Sequence, residues 1–509
     1  MKLYTFLFFL LACFFLSINS SCDKPVITVE KGPLSFSEDT LKFDTVFTTL
    51  RAPTERLMIR NKTNNNIKIK RIWLESGAAT EFNLIVDGIV KDDVGEIILP
   101  AKDSIHIFVT LKSQQKDQLV IEKLKFQTGD DIQTVYLQAK VLDAYFFQVI
   151  YRNDSVFYPY VCHNVLDTTF TNNKPIVIDG PLFVPKGRKL RIEAGTKLFF
   201  TSRKDYYKNE ATGAEGFAFI SMLIVDGTLE IVGNPAQKVT MEGSRLHTDT
   251  LPYLNYSENS GQWRGVYFSQ SSDKNSIEHL VLKNAEFGLL VDSMSPAATS
   301  PKLTVKYSKI RNMSAYGLGY LGRNGAVASV PAVVMENSLI NDCSLYPVVL
   351  DNGGWCEFYN CTFSNAITAK EPTFWVNNYD SDGFGNLLAG PFFTKTKLVN
   401  CAIWGNDEHE CSIDILAQGN EINLENCLVK IDTENHNDYI AKYFTNVLIN
   451  ENPQFNNTSK KDYRPKENSP LRDKGTSNPL PYTFDIRGRA DSARTVPYDI
   501  GAYEYFKID

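Results

Sequence analysis

The chain has 509 residues, of which 43% are hydrophobic and 22% charged, and its formal net charge is −6 at pH 7. This length exceeds one ordinary globular core, so two or three domains, or one repetitive domain with an appendage, are expected. The charges are spread along the chain without a basic stripe, which argues against a nucleic-acid partner.

The first residues have the pattern of a secretory signal. Lys2 precedes an apolar run from Leu3 to Ile18 that is short for a membrane span, and small polar residues follow it up to Cys22. A cysteine after small residues resembles the lipobox of bacterial lipoproteins. This resemblance implies removal of residues 1–21 as a signal peptide and lipidation of Cys22, with cleavage without a lipid as the alternative. No later segment is long and apolar enough for a transmembrane helix, so the lipid would be the membrane anchor. We therefore expect an exported outer-membrane lipoprotein that faces the periplasm or the cell surface.

The cysteines of the mature chain would be odd in number. The segment "LLAC" ending at Cys13 also fits a lipobox, but it would leave an unusually short signal. Removing Cys13 and lipidating Cys22 leaves seven of the nine cysteines, which are Cys162, Cys343, Cys356, Cys361, Cys401, Cys411 and Cys427. An odd number cannot all pair within one molecule. Because three of them recur in one repeat, a stacking role is a simpler prediction than a disulfide framework.

Residues 34–143 alternate between short apolar-polar runs and turn residues, as in "EIILPAKDSIHIFVTL" and "KLKFQTGDDIQTVYLQAKV". Several such strands in about 110 residues predict an antiparallel β-sandwich of the immunoglobulin type. No cysteine pair bridges its sheets, so the sandwich is Ig-like at most. The stretches "FDTVFTT" and "LPAKDSIHIFV" resemble the N-terminal Ig-like modules of Bacteroidota-type surface lipoproteins.

Beyond a predicted linker over residues 144–174, a different repeat begins. "LRIEAGTKLFF" and "LIVDGTLEIVG" share one frame, which later becomes "VKYSKIRN", "MENSLIN", "FYNCTFSN", "LVNCAIWGN" and "LENCLVK". The repeats keep a constant strand while the lengths of their loops vary, which favours a stacked β solenoid. We therefore predict a right-handed parallel β-helix over residues 175–455, in an otherwise all-β chain.

Alignment of these frames predicts columns of equivalent side chains. One inward column is small or apolar, and the next is large. The small column comprises Leu280, Ser308, Ser338, Cys361, Cys401 and Cys427, and the large one comprises Leu282, Ile310, Ile340, Phe363, Ile403 and Val429. The residues that follow the large column are predicted to point outward. They are Lys283, Arg311, Asn341, Ser364, Trp404 and Lys430. Asn337, Asn360, Asn400 and Asn426 would form the bend before each strand, where stacked asparagine side chains can bond one another.

The last segment, residues 456–509, breaks the frame and is rich in proline and glycine. Its elements "NPQF", "DYRPKENSPLRDKG" and "DIGAYEY", like "GQWRGVYF" earlier, resemble secreted bacterial β-helix proteins of the pectin-lyase-like type. We expect this irregular segment to cap the last coil. The family that it resembles includes polysaccharide lyases, glycoside hydrolases and adhesins, so the resemblance implies a fold more strongly than an activity.

Lys283 and Arg311 fall on neighbouring coils and face outward in the predicted register, and His279 lies at the bend before Lys283. A lyase needs a base and a positive group that holds a uronate carboxylate, so these three are candidate catalytic residues. Arg245 and His247 on an earlier loop are further candidates for ligand binding. The alternative is that the outward lysine and arginine only keep a flat sheet soluble.

Two other groups are candidates for ligand binding. In "VNNYDSDGFGN", Asn378, Asp380 and Asp382 offer oxygen ligands suited to calcium, although the same pattern is ordinary turn chemistry. Calcium is the one cofactor that the sequence suggests. Trp404 is a candidate for stacking on a sugar ring, as are Trp375 and Trp263, although burial is the simpler interpretation for Trp263.

Aspartate followed by serine or threonine and then a small or apolar residue recurs along the chain, for example before Thr40, Thr45 and Ser104. This pattern resembles the O-glycosylation signal of exported Bacteroidota-type proteins. Ordinary turn chemistry at strand ends explains it equally well.

The function expected from these observations is non-catalytic binding of a glycan or another surface partner by a lipid-anchored envelope protein. The alternative is a polysaccharide lyase or glycoside hydrolase that acts on an acidic polysaccharide. A purely structural role in the envelope is a third possibility.

Overall fold

The structure is a computed structural model of the chain. It describes residues 27–507, except for 49–51, 53, 87, 92, 115–116, 153–154, 158, 160, 162–166, 203–204, 209–214, 219–220, 247–255, 323–327, 368–370, 383–385, 417–419, 477–484 and 489–497. The predicted signal peptide (1–21), Cys22 and His247 therefore lie outside the described residues. The chain divides into two compact units between Asp143 and Ala144.

The first unit is built from thirteen strands and a 3₁₀ turn at Gly77–Ala79 in its described part. The strands are β1 (Thr28–Val29), β2 (Ser35–Phe36), β3 (Thr40–Phe47), β4 (Glu55–Arg60), β5 (Asn66–Ile69), β6 (Arg71–Leu74), β7 (Phe82–Val86), β8 (Ile89–Val90), β9 (Asp93–Val94), β10 (Ile97–Leu99), β11 (Ser104–Leu111), β12 (Gln118–Thr128) and β13 (Asp131–Leu142). Their sheets have the orders β1-β5-β10, β2-β4-β11-β7-β8 and β3-β13-β12-β6-β9.

The period-two pattern of the sequence gives these strands one buried face. In the hairpin of β12 and β13, Leu124, Phe126, Val135 and Leu137 are fully buried in a core shared with the other strands. Most pairings are antiparallel, as predicted, but β1 pairs with β5 and β3 with β13 in parallel. These partners are far apart in sequence, so no tight hairpin forces them to run antiparallel.

The second unit continues the chain with strands β14 to β50 and a single described α-helix, α1. Its elements are β14 (Tyr145–Gln148), β15 (Ile150–Arg152), β16 (Ser155–Phe157), β17 (Asp167–Phe170), β18 (Ile176–Asp179), β19 (Pro181–Val184), β20 (Lys189–Glu193), β21 (Lys197–Phe200), β22 (Asp205–Lys208), β23 (Glu215–Ala218), β24 (Met222–Val225), β25 (Thr228–Val232), β26 (Val239–Gly243), β27 (Val266–Phe268), β28 (Asn275–Glu278), β29 (Leu280–Lys283), β30 (Leu289–Asp292), β31 (Leu303–Lys306), β32 (Lys309–Met313), β33 (Leu318–Leu321), β34 (Val333–Glu336), β35 (Leu339–Cys343), β36 (Val348–Asp351), β37 (Gly354–Tyr359), β38 (Thr362–Asn365), β39 (Phe374–Asn377), β40 (Asp380–Ser381), β41 (Leu387–Ala389), β42 (Thr394–Val399), β43 (Ala402–Gly405), β44 (Cys411–Asp414), β45 (Glu421–Glu425), β46 (Leu428–Val429), α1 (Asn437–Tyr443), β47 (Phe444–Thr445), β48 (Leu448–Ile449), β49 (Phe455–Asn457) and β50 (Asp462–Pro465), with 3₁₀ turns at Tyr256–Glu258 and Thr458–Lys460.

Most of these strands form three long parallel sheets around one core. Sheet 1 has the order β14-β18-β21-β26-β29-β32-β35-β38-β43-β46-β48, sheet 2 the order β17-β20-β25-β28-β31-β34-β37-β42-β45-β47, and sheet 3 the order β19-β24-β27-β30-β33-β36-β39-β44. A typical coil gives one strand to each sheet, and the next coil stacks on it in register. This is the predicted right-handed parallel β-helix.

The coils extend beyond the predicted boundary. Strands β14 and β17, which begin sheets 1 and 2, lie within residues 144–174, the segment predicted as a linker. Their sequences, "YFFQ" and "DTTF", lack the glycine-threonine frame that marked the later coils. At the other end the short helix α1 follows β46, and its Tyr439 and Tyr443 pack into the core.

The predicted columns are confirmed in sheet 1. Leu282, Ile310, Ile340, Phe363, Ile403 and Val429 are successive partners in register. Cys361, Cys401 and Cys427 are fully buried free thiols. The backbone N–H of Cys401 donates to Cys427 Sγ over 3.3 Å, and the N–H of Ser308 donates similarly to Ser338 Oγ over 3.1 Å. The small residue therefore satisfies a backbone donor that the bend leaves unpaired.

The bend residues adopt the left-handed conformation that the asparagine pattern predicts. Asn337, Asn360, Asn400 and Asn426 have φ between 45° and 55°. Asparagine tolerates this region better than most residues because its short side chain bonds locally. Asn400 Nδ2 donates to Asn360 Oδ1 over 3.3 Å, so the predicted bond between stacked asparagines forms at this pair of rungs, whereas Asn337 Oδ1 and Asn360 Nδ2 are buried without a partner among the described residues.

The C-terminal segment, which we call the tail (residues 456–507), packs along the flank of sheet 1. Its Leu471, Ile500 and Tyr463 form a cluster with Leu339, Ala402 and Leu428, which point outward from sheet 1. The N–H of Ala502 donates to Thr362 Oγ1 over 3.0 Å. The irregular segment that follows the β-helix therefore covers apolar residues on the outer side of sheet 1, including Leu428 near the last coil.

Candidate functional site

The outer face of sheet 1 carries the candidate catalytic residues. Lys283 and Arg311 are register partners on β29 and β32, as predicted. However, Lys283 Nζ pairs with Glu242 at 2.6 Å, and Arg311 binds Glu258 through two hydrogen bonds of 2.7 and 3.1 Å. Both side chains are about four-fifths buried, at 18% and 21% exposed. The sequence could not reveal these carboxylates, because a strand of another coil and a loop supply them.

His279 lies at the predicted bend, but its ring faces the neighbouring rung and not a cleft. It is 7% exposed and stacks on Tyr307, with ring centroids 4.9 Å apart. Burial, aided by the charge of Lys238, lowers the pKa of His279 to about 4. The imidazole is therefore neutral at pH 7.

The other candidate ligand-binding residues, Arg245, Trp404 and Trp263, have different surroundings and do not form one site. Arg245 follows β26, and its backbone N–H donates to Gln262 Oε1 over 3.3 Å. Trp404 packs against the cluster under the tail, with Lys430 Nζ 5.2 Å from its ring centroid. It lines a pocket of about 310 Å³ between β43 and the tail. Trp263 is fully buried and stacks on Phe200 at 3.8 Å, as the simpler interpretation predicts.

Two of the three side chains proposed for calcium accept hydrogen bonds within the chain. Asn378 Oδ1 accepts a hydrogen bond from the N–H of Leu416, and Asp382 accepts two from Asn386, while Asp380 is exposed in β40. In the part of the chain that the structure describes, no group of three or more histidine, cysteine, aspartate or glutamate residues could hold a metal ion.

Two of the proposed glycosylation positions begin strands, whereas Thr45 lies within β3 and Ser293 follows the end of β30. Thr40 begins β3 and Ser104 begins β11, while the related Ser293 is only 2% exposed. Glycosylation remains a prediction.

The outer face of sheet 3 between β27 and β44, which we call the aromatic face, has a different character. Register places one outward column along its centre: Tyr267, Leu290, Gly319, Val349, Trp375 and Ser412. Residues that point inward in the same strands, such as Leu289 and Val348, are fully buried. The strands that hold this column are therefore fixed by the core.

Three rings on successive coils stack on this face: Tyr316 and Tyr346 lie at the edge where the strands begin, and Trp375 lies in the central column. The Tyr316 and Tyr346 centroids are 6.4 Å apart and nearly parallel, and those of Tyr346 and Trp375 are 5.1 Å apart. Tyr346 OH donates to Glu371 Oε2 over 2.7 Å, which holds its ring in place. Burial and this hydrogen bond raise the pKa of Tyr346, so its hydroxyl stays protonated.

Carboxylates line the other edge of the aromatic face, at the ends of the strands. Asp292, Asp351 and Asp414 point outward from β30, β36 and β44. Each is held by a neutral donor: Tyr267 OH bonds Asp292 over 2.8 Å, Asn377 Nδ2 bonds Asp351 over 2.8 Å, and Tyr379 OH bonds Asp414. The face thus combines flat rings with oriented hydrogen-bond acceptors.

Sequence reasoning named Trp375 but missed the rest of this face. A second repeat in the sequence marks this face: an aromatic residue, then glycine or proline, then an apolar residue. It occurs in "FGLLVD", "YGLGYL" and "YPVVLD", which begin at Phe287, Tyr316 and Tyr346. The more regular asparagine-cysteine repeat marks sheet 1, and it fixes only one of the three sheets.

The described part of the chain contains no helix of sufficient length and apolarity to span a membrane. No family profile and no curated protein matches the chain. Several solved structures resemble parts of it. A PapD-like domain of human CEP192 matches at 9% identity and a TM-score of 0.16, over 24% of this chain and 92% of that one. A double mutant of the periplasmic alginate epimerase AlgG matches at 9% identity and a TM-score of 0.21, over 51% and 77%. The catalytic domain of a GH87 α-1,3-glucanase matches at 9% identity and a TM-score of 0.21, over 73% and 89%. These likenesses concern the fold alone.

Proposed function

We propose that the protein binds a polysaccharide chain on the aromatic face without altering it chemically. The observation that carries this proposal is the stack of Tyr316, Tyr346 and Trp375 on three successive coils. Partly exposed aromatic rings in a rigid row present flat apolar surfaces on which the faces of sugar rings can pack. Because the strands are fixed by the core, little conformational entropy is lost when a ligand binds.

The contacts of the charged residues favour binding without catalysis. Lys283 and Arg311 each already hold a carboxylate, so neither is free to take a proton or to hold a uronate. The acceptors on the aromatic face are likewise held by tyrosine and asparagine donors. Such fixed groups suit recognition of hydroxyl groups.

The test is affinity electrophoresis through gels that contain one polysaccharide each. The wild-type protein is expected to be retarded by at least one polymer, and Trp375→Ala is expected to weaken that binding about tenfold, the equivalent of about 1.4 kcal/mol. The matched control is Trp355→Ala, because Trp355 also points outward but lies on sheet 2, with Lys395 over its ring at 4.2 Å. Equal losses in the two variants, or no retardation of the wild type by any polymer, would refute the proposal.

We also propose that the protein is exported and anchored in the outer membrane by a lipid on Cys22. The apolar run before Cys22 and its lipobox-like context support this proposal. Metabolic labelling with a fatty-acid analogue is expected to label the wild type but not Cys22→Ser. Label that persists in the variant would refute lipidation at this cysteine.

A further inference from the structure

The charge of the aromatic face bears on which polysaccharide it can bind, an inference that rests on the proposed function. The sheet 3 strands β27, β30, β33, β36, β39 and β44 carry no lysine or arginine, and three of them end in outward aspartates. The nearby Arg264 is 3.5 Å from Glu286, so its charge is compensated. The buried Lys302 interacts electrostatically with Asp292 and offsets one of the three aspartate charges. The described strands of the face therefore keep a net negative charge.

The aspartates recur on alternate coils. Asp292, Asp351 and Asp414 are separated by Leu321 on β33 and Asn377 on β39. Adjacent strands are about 4.8 Å apart, so aspartate-bearing strands recur roughly every 9.6 Å along the axis. This repeat is parallel to the row of rings, as expected for a linear polymer that lies along the axis.

Asp292 keeps capacity for a ligand after its internal hydrogen bonds. A carboxylate has about four acceptor positions, and the hydrogen bonds from Tyr267 OH and from the N–H of Ser293 occupy two of them. The hydroxyl groups of a sugar can donate to the others. A uronate carboxylate cannot donate when ionised, and it would be repelled by the aspartate.

In the same column as Trp375 runs an apolar strip, in which Val349 is only 5% exposed. It is formed by Leu290, Gly319 and Val349, the central outward residues of β30, β33 and β36. A Cβ atom at Gly319 would lie 2.9 Å from Leu290 Cδ1 and 3.6 Å from both Tyr316 and Val349. The absence of a side chain at this position keeps the strip level, and glycine inside a strand often marks a close approach of a ligand.

We propose that the aromatic face selects an uncharged polysaccharide that lies along the axis of the β-helix, with its hydroxyl groups donating to Asp292, Asp351 and Asp414. The same aspartates would exclude uronate polymers, which are the substrates of the alternative enzymatic function considered from the sequence. Each uronate carboxylate that lies about 4 Å from one of these aspartates in water would be repelled by it, and this repulsion would weaken binding by about fivefold.

The experiment compares uncharged polymers (β-glucan, galactomannan, xyloglucan), uronate polymers (alginate, polygalacturonate) and a cationic polymer (chitosan) in affinity gels. The wild type is expected to bind an uncharged polymer with little dependence on salt and not to bind the uronates. The double variant Asp351→Asn/Asp414→Asn keeps the side-chain shape but removes two charges. This double variant is expected to lower the ratio of the affinity for the uncharged polymer to the affinity for the uronate polymers at least tenfold. Glu425→Gln, on the outer side of sheet 2, should leave that ratio unchanged.

The outcomes separate this inference from the proposed function. Two outcomes would overturn the selection of an uncharged chain but leave the proposed glycan binding intact. One is binding of uronate polymers that depends on Trp375. The other is binding of chitosan alone that depends on Trp375 and is weakened by salt. An unchanged preference in the double variant would also overturn this selection. Failure of every polymer to bind would overturn both proposals.

Discussion

Replacement of His279 by asparagine is expected to remove part of the acid sensitivity of the folded chain. His279 occupies the same bend position as Asn337 in a later coil, and both are left-handed, with φ of 53° and 45°. The histidine is 7% exposed, and burial together with Lys238 lowers its pKa to about 4, from an ordinary value of 6.5. Between these two values, the unfolded chain binds a proton that the folded chain does not. The contribution of neutral His279 to the free energy of unfolding is therefore fully present above pH 6.5 and is lost as the pH falls towards 4.

The size of the effect follows from the pKa difference. One pKa unit corresponds to 1.36 kcal/mol, so acidification from pH 7 to pH 4.5 is expected to lower the free energy of unfolding by about 2 kcal/mol through this residue. Asparagine cannot be protonated in this range and suits the left-handed conformation. Loss of the stacking contact with Tyr307 costs the same at both pH values, so it cancels in the difference.

The assay is urea unfolding of the wild type and His279→Asn at pH 7 and pH 4.5, followed by tryptophan fluorescence. The wild type should lose about 2 kcal/mol more than the variant between the two pH values. The reciprocal variant Asn337→His places an imidazole at a bend that is 6% exposed, and it should increase the loss. If the wild type and His279→Asn lose equal stability, His279 is not the buried neutral base inferred from its burial.

Three further changes test the core, a buried lysine and the tail. Phe363→Ala should lower the free energy of unfolding by about 3–5 kcal/mol, because Phe363 is fully buried, whereas Phe108→Ala at a 40% exposed position should cost less than about 1 kcal/mol in the same urea titrations. Lys302 is 1% exposed, donates from Nζ to two backbone carbonyl groups, and has its pKa lowered by burial to about 8. Because the unfolded lysine keeps its proton up to about pH 10.5, the free energy of unfolding should rise between about pH 8 and pH 10.5. Lys302→Met should reduce this rise. Ala502→Arg should loosen the tail and speed limited proteolysis of residues 456–507, and an unchanged cleavage rate would contradict the packing of Ala502 against sheet 1.

The repeat of sheet 1 could be predicted from the sequence because one physical constraint recurs at constant spacing. A left-handed bend favours asparagine, and the narrow interior after it favours a small side chain, so Asn400 and Cys401 mark a coil by themselves. The partners of Lys283 and Arg311 could not be predicted in the same way. Glu242 and Glu258 come from another coil and from a loop, and no local spacing records which carboxylate meets which cation.

The position of the tail was also hidden from sequence reasoning. Its proline and glycine content indicates irregular structure, but the surface that it covers is defined by outward residues of distant strands, such as Leu339 and Leu428. These positions look like ordinary strand residues until the register shows that they face away from the core. A residue pattern within the tail cannot supply that information.

The three outer faces of the β-helix differ in what they leave for a ligand. Sheet 1 is flanked by the tail. Sheet 2 carries charges that pair between neighbouring coils, as Arg191 does with Glu230 at 2.8 Å and Lys306 with Glu336 at 3.2 Å. Such pairs are well solvated and gain little from a sugar. Sheet 3 instead exposes stacked rings beside aspartates that are held by neutral donors, and both gain contacts when a hydroxyl-rich chain replaces water. The same coil geometry therefore yields one face flanked by the tail, one face of paired charges and one face that carries the rings and acceptors of the proposed glycan site.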